Sequence, residues 1–373
     1  MFTERTSVGL DVHARSVVAS AIDTMTGTTK TARLVPSHEV VLEWVHALPG
    51  PVAVTYEAGP TGYGLARAFA GVGTRCVVAA PSKIVRPAGD RVKTDAKDAL
   101  LLARLLRMDE ITAVRVPSVG QEAARDLVRA REDARIDLMA ARHRLSKLLI
   151  RHGHVYSGGH AWTPDHERWL REIHFDQYGT QAAFDTCYED VIFTAARRAQ
   201  LDRQIEAMAA DSEFTPIVNR LCCLRGIATL TGFGLAVEVG DWTRFDGNSI
   251  GAFLGLAPGE ASSGDKHTIT SITKAGNHHA RRLLVEAAWH HKPSYHPGNV
   301  MLARWNKAPG PVVAKAHQGN KRLHQRWLDF DARHKRPVIA NVAIARELAG
   351  WCWTVATLQT GPRDGTHSPP LTR

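Results

Sequence analysis

"SVGLDVHARSVVASAID", residues 7 to 23, is the stretch on which the fold turns. Valine and small residues dominate it, so 6–12 and 16–23 read as neighbouring strands. One acid, Asp11, interrupts the first apolar run. A carboxylate in such a strand is costly to desolvate unless a cation or hydrogen bonds compensate it. Asp11 therefore asks for a partner.

Outward from this stretch, "TMTGTT" (24–29) is a turn and "TARLV" (31–35) a third strand. Three short strands with tight turns predict an antiparallel meander. "SHEVVLEWVHAL" (37–48) starts on a serine cap and spaces Val40, Val41, Trp44, Val45 and Leu48 as a helix does. "PVAVTYEA" (51–58) is a fourth strand, "TGYGLARAFAGVG" (61–73) a helix and "TRCVVAAP" (74–81) a fifth strand. "TDAKDALLLARLLRM" (94–108) is a third helix with an acidic first turn. The order β-β-β-α-β-α-β-α predicts a mixed sheet covered by helices, the element order of the ribonuclease H-like fold.

On that order four acids fall at matching places. Asp11 lies late in the first strand and Glu57 ends the fourth. Asp95 and Asp98 start the third helix, three apart and so on one face. With the first and fourth strands adjacent and the helix crossing their ends, the four carboxylates converge. Convergent carboxylates raise each other's pKa, and divalent cations relieve the repulsion. Two Mg²⁺ ions (or Mn²⁺) about 3.5–4 Å apart can activate one oxygen and stabilise another in phosphoryl transfer. The cluster reads as a metal-dependent nucleic-acid active site.

Past a polar connector (109–120), apolar residues at 123, 127, 130, 134, 138, 141, 145 and 148 space themselves as a heptad seam. A second helical run covers 181–210. The two predict an antiparallel helical hairpin, either a bundle subdomain within one protomer or a coiled-coil arm through which copies of the chain associate as a dimer or tetramer. From about 214 a helix, a turn at Gly226 and a helix ending at Gly240 resemble a helix-hairpin-helix. "LGLAPGEASSGD" (254–265) reads as a loop of small residues, and "NHHARRLLVEAAWHH" (277–291) as a basic helix capped by Asn277. His278–His279 and His290–His291 read as phosphate contacts or surface residues. Cys222, Cys223, Trp289, Trp351 and Trp353 read as packing residues.

With 44% hydrophobic and 23% charged residues the composition is that of a soluble globular protein. No apolar run is long enough to span a bilayer, and the first ten residues lack a signal peptide's pattern. The five cysteines form no C-x-x-C pair, so neither a zinc ribbon nor a disulfide framework is expected. A cytoplasmic, nucleoid-associated protein is expected. The net charge is +10, and residues 266–348 carry 15 Lys/Arg against 4 Asp/Glu. That bias points to a polyanion, most simply nucleic acid.

"GLDVH", "YEAGPTG" and "KTDAKDA", in that order and spacing, resemble the DEDD-type insertion-sequence transposases, which include Piv-like DNA invertases and bridge-RNA-guided recombinases. "GLAPGEASSGDK", "ITKAGNHHARRLLVEAAW", "RLHQRW" and "RHKRPVIANVAIARELAGWCW" extend the resemblance over about 5–360. It implies a RuvC-like domain (1–110) with Asp11, Glu57, Asp95 and Asp98 as catalytic metal ligands, a helical hairpin (111–212), and a mainly helical C-terminal transposase domain (213–360). Residues 361–373 read as a disordered tail. The resemblance also implies a serine in "ASSGD" that attacks a DNA phosphate and forms a phosphoseryl link: Ser263, with Ser262 as the alternative. Lys266, Lys274, Arg281 and Arg282 would contact nucleic acid. A structured guide RNA, with sequence choice delegated to base pairing, is a further implication. Asp265 departs from the family pattern by placing an acid beside the expected phosphate. A metal-dependent nuclease or resolvase using water, and a site-specific invertase, are the competing readings.

Overall fold

Each of the first strands forms where the apolar pattern predicts it. The computed structural model describes residues 4–85, 94–263 and 266–359, without the side chains of residues 262–267. The chain divides into two compact units, Met1–Ser118 and Val119–Arg373.

In the first unit β1 (Thr6–Val12), β2 (Val17–Asp23) and β3 (Thr29–Leu34) form an antiparallel meander. They are followed by α1 (His38–His46), β4 (Val52–Glu57), α2 (Gly64–Gly71), β5 (Arg75–Ala79) and α3 (Asp95–Arg107). The sheet order is β3-β2-β1-β4-β5, with β4 parallel to β1 and β5 parallel to β4. This is a mixed α/β fold of the order the sequence predicts for a ribonuclease H-like sheet.

Strand alternation sorts the side chains between two faces. Val8, Leu10, Val54 and Tyr56 point to a core shared with Val41 and Val45 of α1 and Leu65 and Phe69 of α2. Gly9 lies on the opposite face, against α3. A Cβ on Gly9 would fall 2.0 Å from the Ala99 carbonyl oxygen and 2.5 Å from the Ala103 amide nitrogen. The missing side chain is what lets the α3 backbone lie directly on β1.

The second unit is mainly helical. It contains α4 (Val119–Arg151), α5 (Pro164–Arg171), α6 (Tyr178–Ala210), α7 (Thr215–Leu221), α8 (Thr229–Val239) and α9 (Ser249–Phe253). A two-stranded hairpin follows, β6 (Pro258–Ser263) and β7 (Lys266–Ile272), then α10 (His278–Ala288), α11 (Asn299–Trp305), α12 (Gly310–Ala332) and α13 (Pro337–Thr357). Among the described residues no helix is long and apolar enough to cross a membrane. Residues 361–373, expected to be a tail, lie outside the described residues.

Helices α4 and α6 pack antiparallel. Arg131 pairs with Asp202 at 2.7 Å and Arg144 with Asp190, so partners fall in number on α6 as they rise on α4. Leu138, Ala141, Leu145 and Leu148 are buried here with Phe184 and Val191. The first half of the predicted seam differs. Ala124 and Val128 are buried in place of residues 123, 127 and 130, because this end of α4 joins the core around Phe233 of α8.

Three further expectations are corrected. The small-residue loop at 254–265 is largely strand: the alternating "HTITSI" of β7 gives 258–263 a partner. His279 and His291 are interior, not surface residues, because helical phase turns them inward with Leu283 and Ala287. Burial pushes the His291 imidazole down to about 3. Trp289 is 39% exposed, with its ring 5.7 Å from that of Trp327. Cys222 and Cys223 are core residues, as expected, and burial raises both thiols.

Candidate active site

Parallel pairing brings the first two acids side by side. Leu10 of β1 is paired with Tyr56 of β4, so Asp11 and Glu57 are the next residues on adjacent strands. By alternation both side chains take the α3 face. Asp95 and Asp98 sit in the first turn of α3, where the helix dipole favours acids. The Thr94 side chain caps that turn by accepting from the Lys97 amide at 3.3 Å. All four acids line one cleft of about 640 Å³, with residues 12–14, the 58–61 turn and Pro81 completing its wall. Asp11 is half-buried at the cleft edge rather than sealed in the core.

Two residues that the sequence reading passed over also belong here. His13 Nε2 lies 3.1 Å from Asp11 Oδ2 and 4.0 Å from Asp95 Oδ1. Arg33, on β3, donates to Asp95 Oδ2 at 3.3 Å and to Ser16 Oγ at 3.2 Å. His13 had a visible signal, since it follows Asp11 by two residues and strand alternation returns it to the same side. Arg33 had none, because its reach across the sheet edge depends on β3 pairing with β2.

The donor set of four carboxylates and an imidazole suits a divalent cation. Oxygen ligands match Mg²⁺ or Mn²⁺, and such an ion would relieve the repulsion between the acids. Among the described residues, Asp11, His13 and Asp95 bring donor atoms within 4.8 Å of one another, while Glu57 and Asp98 line the same cleft; an ion held there would supply Lewis-acid stabilisation of charge on phosphate oxygens.

Ser262 and Ser263 end β6, with their backbones paired to His267 and Lys266. Their side chains and that of Lys266 lie outside the described residues, as does all of Gly264 and Asp265. Lys274 is exposed with φ of 55° in the turn after β7. Arg281 has internal partners, donating to the carbonyls of Leu254 at 3.0 Å and Ala275 at 2.8 Å. Arg282 pairs with Glu286 and Glu132.

Near Arg282 lies a charged network between α4, α8 and α10. Glu238 is 1% exposed and accepts from Asn277 at 2.6 Å, with Arg129 at 3.3 Å and His279 Nδ1 at 3.3 Å. Burial alone would raise its carboxyl. The contacts from His279, Arg129 and Asn277 outweigh that and hold it down at about 2. The carbonyls ending α8 are also met from α4: Gln121 and Arg125 donate to Val237 O, each at 2.8 Å.

Residues 8–153 match the family model for the DEDD transposase of IS110 type, and residues 218–299 that for the transposase of the IS116/IS110/IS902 family. The protein y4qE of Sinorhizobium fredii, named as a transposase, is 41% identical over 308 residues, which are 81% of this chain and 74% of that one. The transposase for insertion sequence element IS1533 of Leptospira borgpetersenii is 30% identical over 342 residues, 88% of this chain and 97% of that one. The transposase for insertion sequence element IS1328 of Yersinia enterocolitica is 25% identical over 325 residues, 83% and 85% of the two chains.

Proposed function

The chain belongs to the IS110/IS116 family of DEDD-type insertion-sequence transposases, DNA-cutting and rejoining enzymes, and we propose that it works through two sets of residues. One is the carboxylate cleft, holding Mg²⁺ on Asp11, Glu57, Asp95 and Asp98. The other is Ser263, or Ser262 in its place, at the end of β6. The observation that carries this reading is the meeting of four carboxylates from β1, β4 and α3 in one cleft.

In the covalent step the serine Oγ–P bond forms as a P–O bond of one DNA strand breaks. The serine proton passes to a base, for which Lys266 and His267 are the nearest in sequence, and the departing DNA oxygen takes up a proton. Rejoining runs the exchange in reverse: a DNA hydroxyl attacks the phosphorus and the serine oxygen leaves. The carboxylates would hold the cation, which would supply Lewis-acid stabilisation of charge on the phosphate, and the first turn of α3 sets two of them on one face.

A structured guide RNA is the second nucleic acid of the proposal. The family resemblance and the excess of 11 positive charges over residues 266–348 support it. Association of copies through α4 and α6 is supported by apolar side chains left exposed on both helices, Ile136, Met139 and Ile150 on one and Ile192 and Phe193 on the other.

The test is a trapping assay with Mg²⁺, RNA from the element's end and labelled DNA, followed by denaturation. The expected result is a protein–DNA adduct that Ser263→Ala removes and Asp11→Asn prevents. Metal-dependent cleavage without an adduct, unchanged in both Ser263→Ala and Ser262→Ala, would replace the serine by water.

A further inference from the structure

The metal reading of the cleft leaves one donor unassigned. Resting on that reading, we propose that His13 is itself a metal ligand through Nε2, beside Asp11 and Asp95, and that it biases the site toward Mn²⁺ over Mg²⁺.

The geometry is that of a ligand set. The donor atoms of Asp11, His13 and Asp95 all lie within 4.8 Å of one another. Around an octahedral ion with ligands at about 2.0–2.1 Å, neighbouring donors are about 3 Å apart and opposite ones about 4.2 Å apart. The His13 nitrogen lies 3.1 Å from the Asp11 oxygen, near the neighbouring separation, and 4.0 Å from the Asp95 oxygen, near the opposite one. Arg33 occupies the remaining oxygen of Asp95, Oδ2, at 3.3 Å. That leaves Oδ1 turned toward His13, so the arginine orients the carboxylate without taking the donor the metal needs.

The backbone explains why the imidazole is there. His13 is two residues beyond Asp11, and its amide donates to the Ser16 carbonyl at 3.0 Å, which fixes the turn into β2. Its side chain is 54% exposed, so it stands at the mouth of the cleft where an ion enters. Mg²⁺ is hard and gives up water reluctantly; Mn²⁺ shares its preference for oxygen donors but, as a first-row transition ion, accepts a nitrogen donor more readily than Mg²⁺ does. Exchanging one oxygen donor for this nitrogen therefore favours Mn²⁺.

The experiment loads the full chain with Mn²⁺ and records electron spin echo modulation, together with Mn²⁺ affinity and Mg²⁺ affinity by competition. The wild type should show coupling to a directly bound imidazole ¹⁴N. His13→Gln, which keeps a hydrogen-bonding group but has no ring nitrogen, should lose that coupling. Its Mn²⁺ affinity should fall about tenfold or more while its Mg²⁺ affinity changes less. Mn²⁺ bound without ¹⁴N coupling overturns the proposal, as does an equal fall in both affinities, which would make His13 only an orienting partner of Asp11. Either result leaves the carboxylate site standing. Asp11→Asn separates the two readings: it should weaken both metals, and unchanged Mn²⁺ binding in that variant, or none in the wild type, overturns the carboxylate site along with His13.

Discussion

At the scale of single residues, the position that governs the cleft is a glycine. Gly9 has no catalytic chemistry, yet α3 lies so close to it that a methyl group has no room. Gly9→Ala must push α3 away from β1, and Asp95 and Asp98 move with the helix. Overpacking of this kind destabilises by about 1–3 kcal/mol. We expect a lower Tm in thermal denaturation and weaker Mn²⁺ binding from the same variant, although no ligand has been touched. The four acids were legible because Asp11 interrupts an apolar run, Glu57 ends one, and Asp95 and Asp98 fall in the acidic first turn before another. Gly9 was not, because its role depends on which face α3 covers. Glu238 was equally hidden inside the apolar run "TLTGFGLAVEV", and its partners come from two other helices. Its carboxyl stands at about 2 when folded against an ordinary 4.5. A lowered folded pKa stabilises the fold above the unfolded value, and that contribution fades as pH falls from about 4.5 to 2. The linkage is worth at most about 3 kcal/mol. Glu238→Gln should therefore be less stable than the wild type at neutral pH, with the gap closing on acidification across that window in denaturant titrations.

Elements were read more securely than their faces. Every strand and α-helix of the first unit lies within a few residues of its sequence prediction, since turn residues separate them, although the expected Ser37 cap of α1 is not made and only Thr94 caps its helix with its side chain. The long helix α4 is a different case. Its length follows from an unbroken run of helix formers, but its buried stripe changes partners along the way. From Ala134 onward its buried stripe obeys the heptad spacing against Phe184 and Val191 of α6. Before that it is shared between α6, through Ile205 and Ala209, and α8, with Gln121 and Arg125 donating to the end of that helix. No single period describes a helix with two neighbours. The two halves should respond differently to substitution. Leu145→Ala opens a cavity against α6 and should cost about 2–5 kcal/mol, read by denaturant unfolding. Ala123→Leu, on a position the heptad places in the seam but which stands exposed, should leave stability within about 0.5 kcal/mol of wild type.

Over the whole molecule, charge is the property that reaches furthest. A transposase must hold a polyanion, and the net charge of +10 arises from residues 266–348, where Lys and Arg outnumber Asp and Glu by 11. Binding of this kind releases counterions, so log K should fall linearly with log salt, with a slope of about −0.9 for each phosphate neutralised. Counting cations in the sequence overstates that slope, because some of them are already engaged within the fold. Arg281 holds two backbone carbonyls, and Arg282 is paired with two glutamates. Lys274 is exposed in the turn after β7, so in the proposed complex its ammonium is accessible to a phosphate. Salt titrations of DNA affinity with single variants distinguish the two classes. Lys274→Ala should reduce the magnitude of the slope by about one with little change in Tm. Arg281→Ala should lower Tm, since the Leu254 and Ala275 carbonyls lose their donor, while the slope of the folded fraction stays near wild type. A slope change of about one in Arg281→Ala with Tm unchanged would mean that its guanidinium leaves those carbonyls for the DNA backbone.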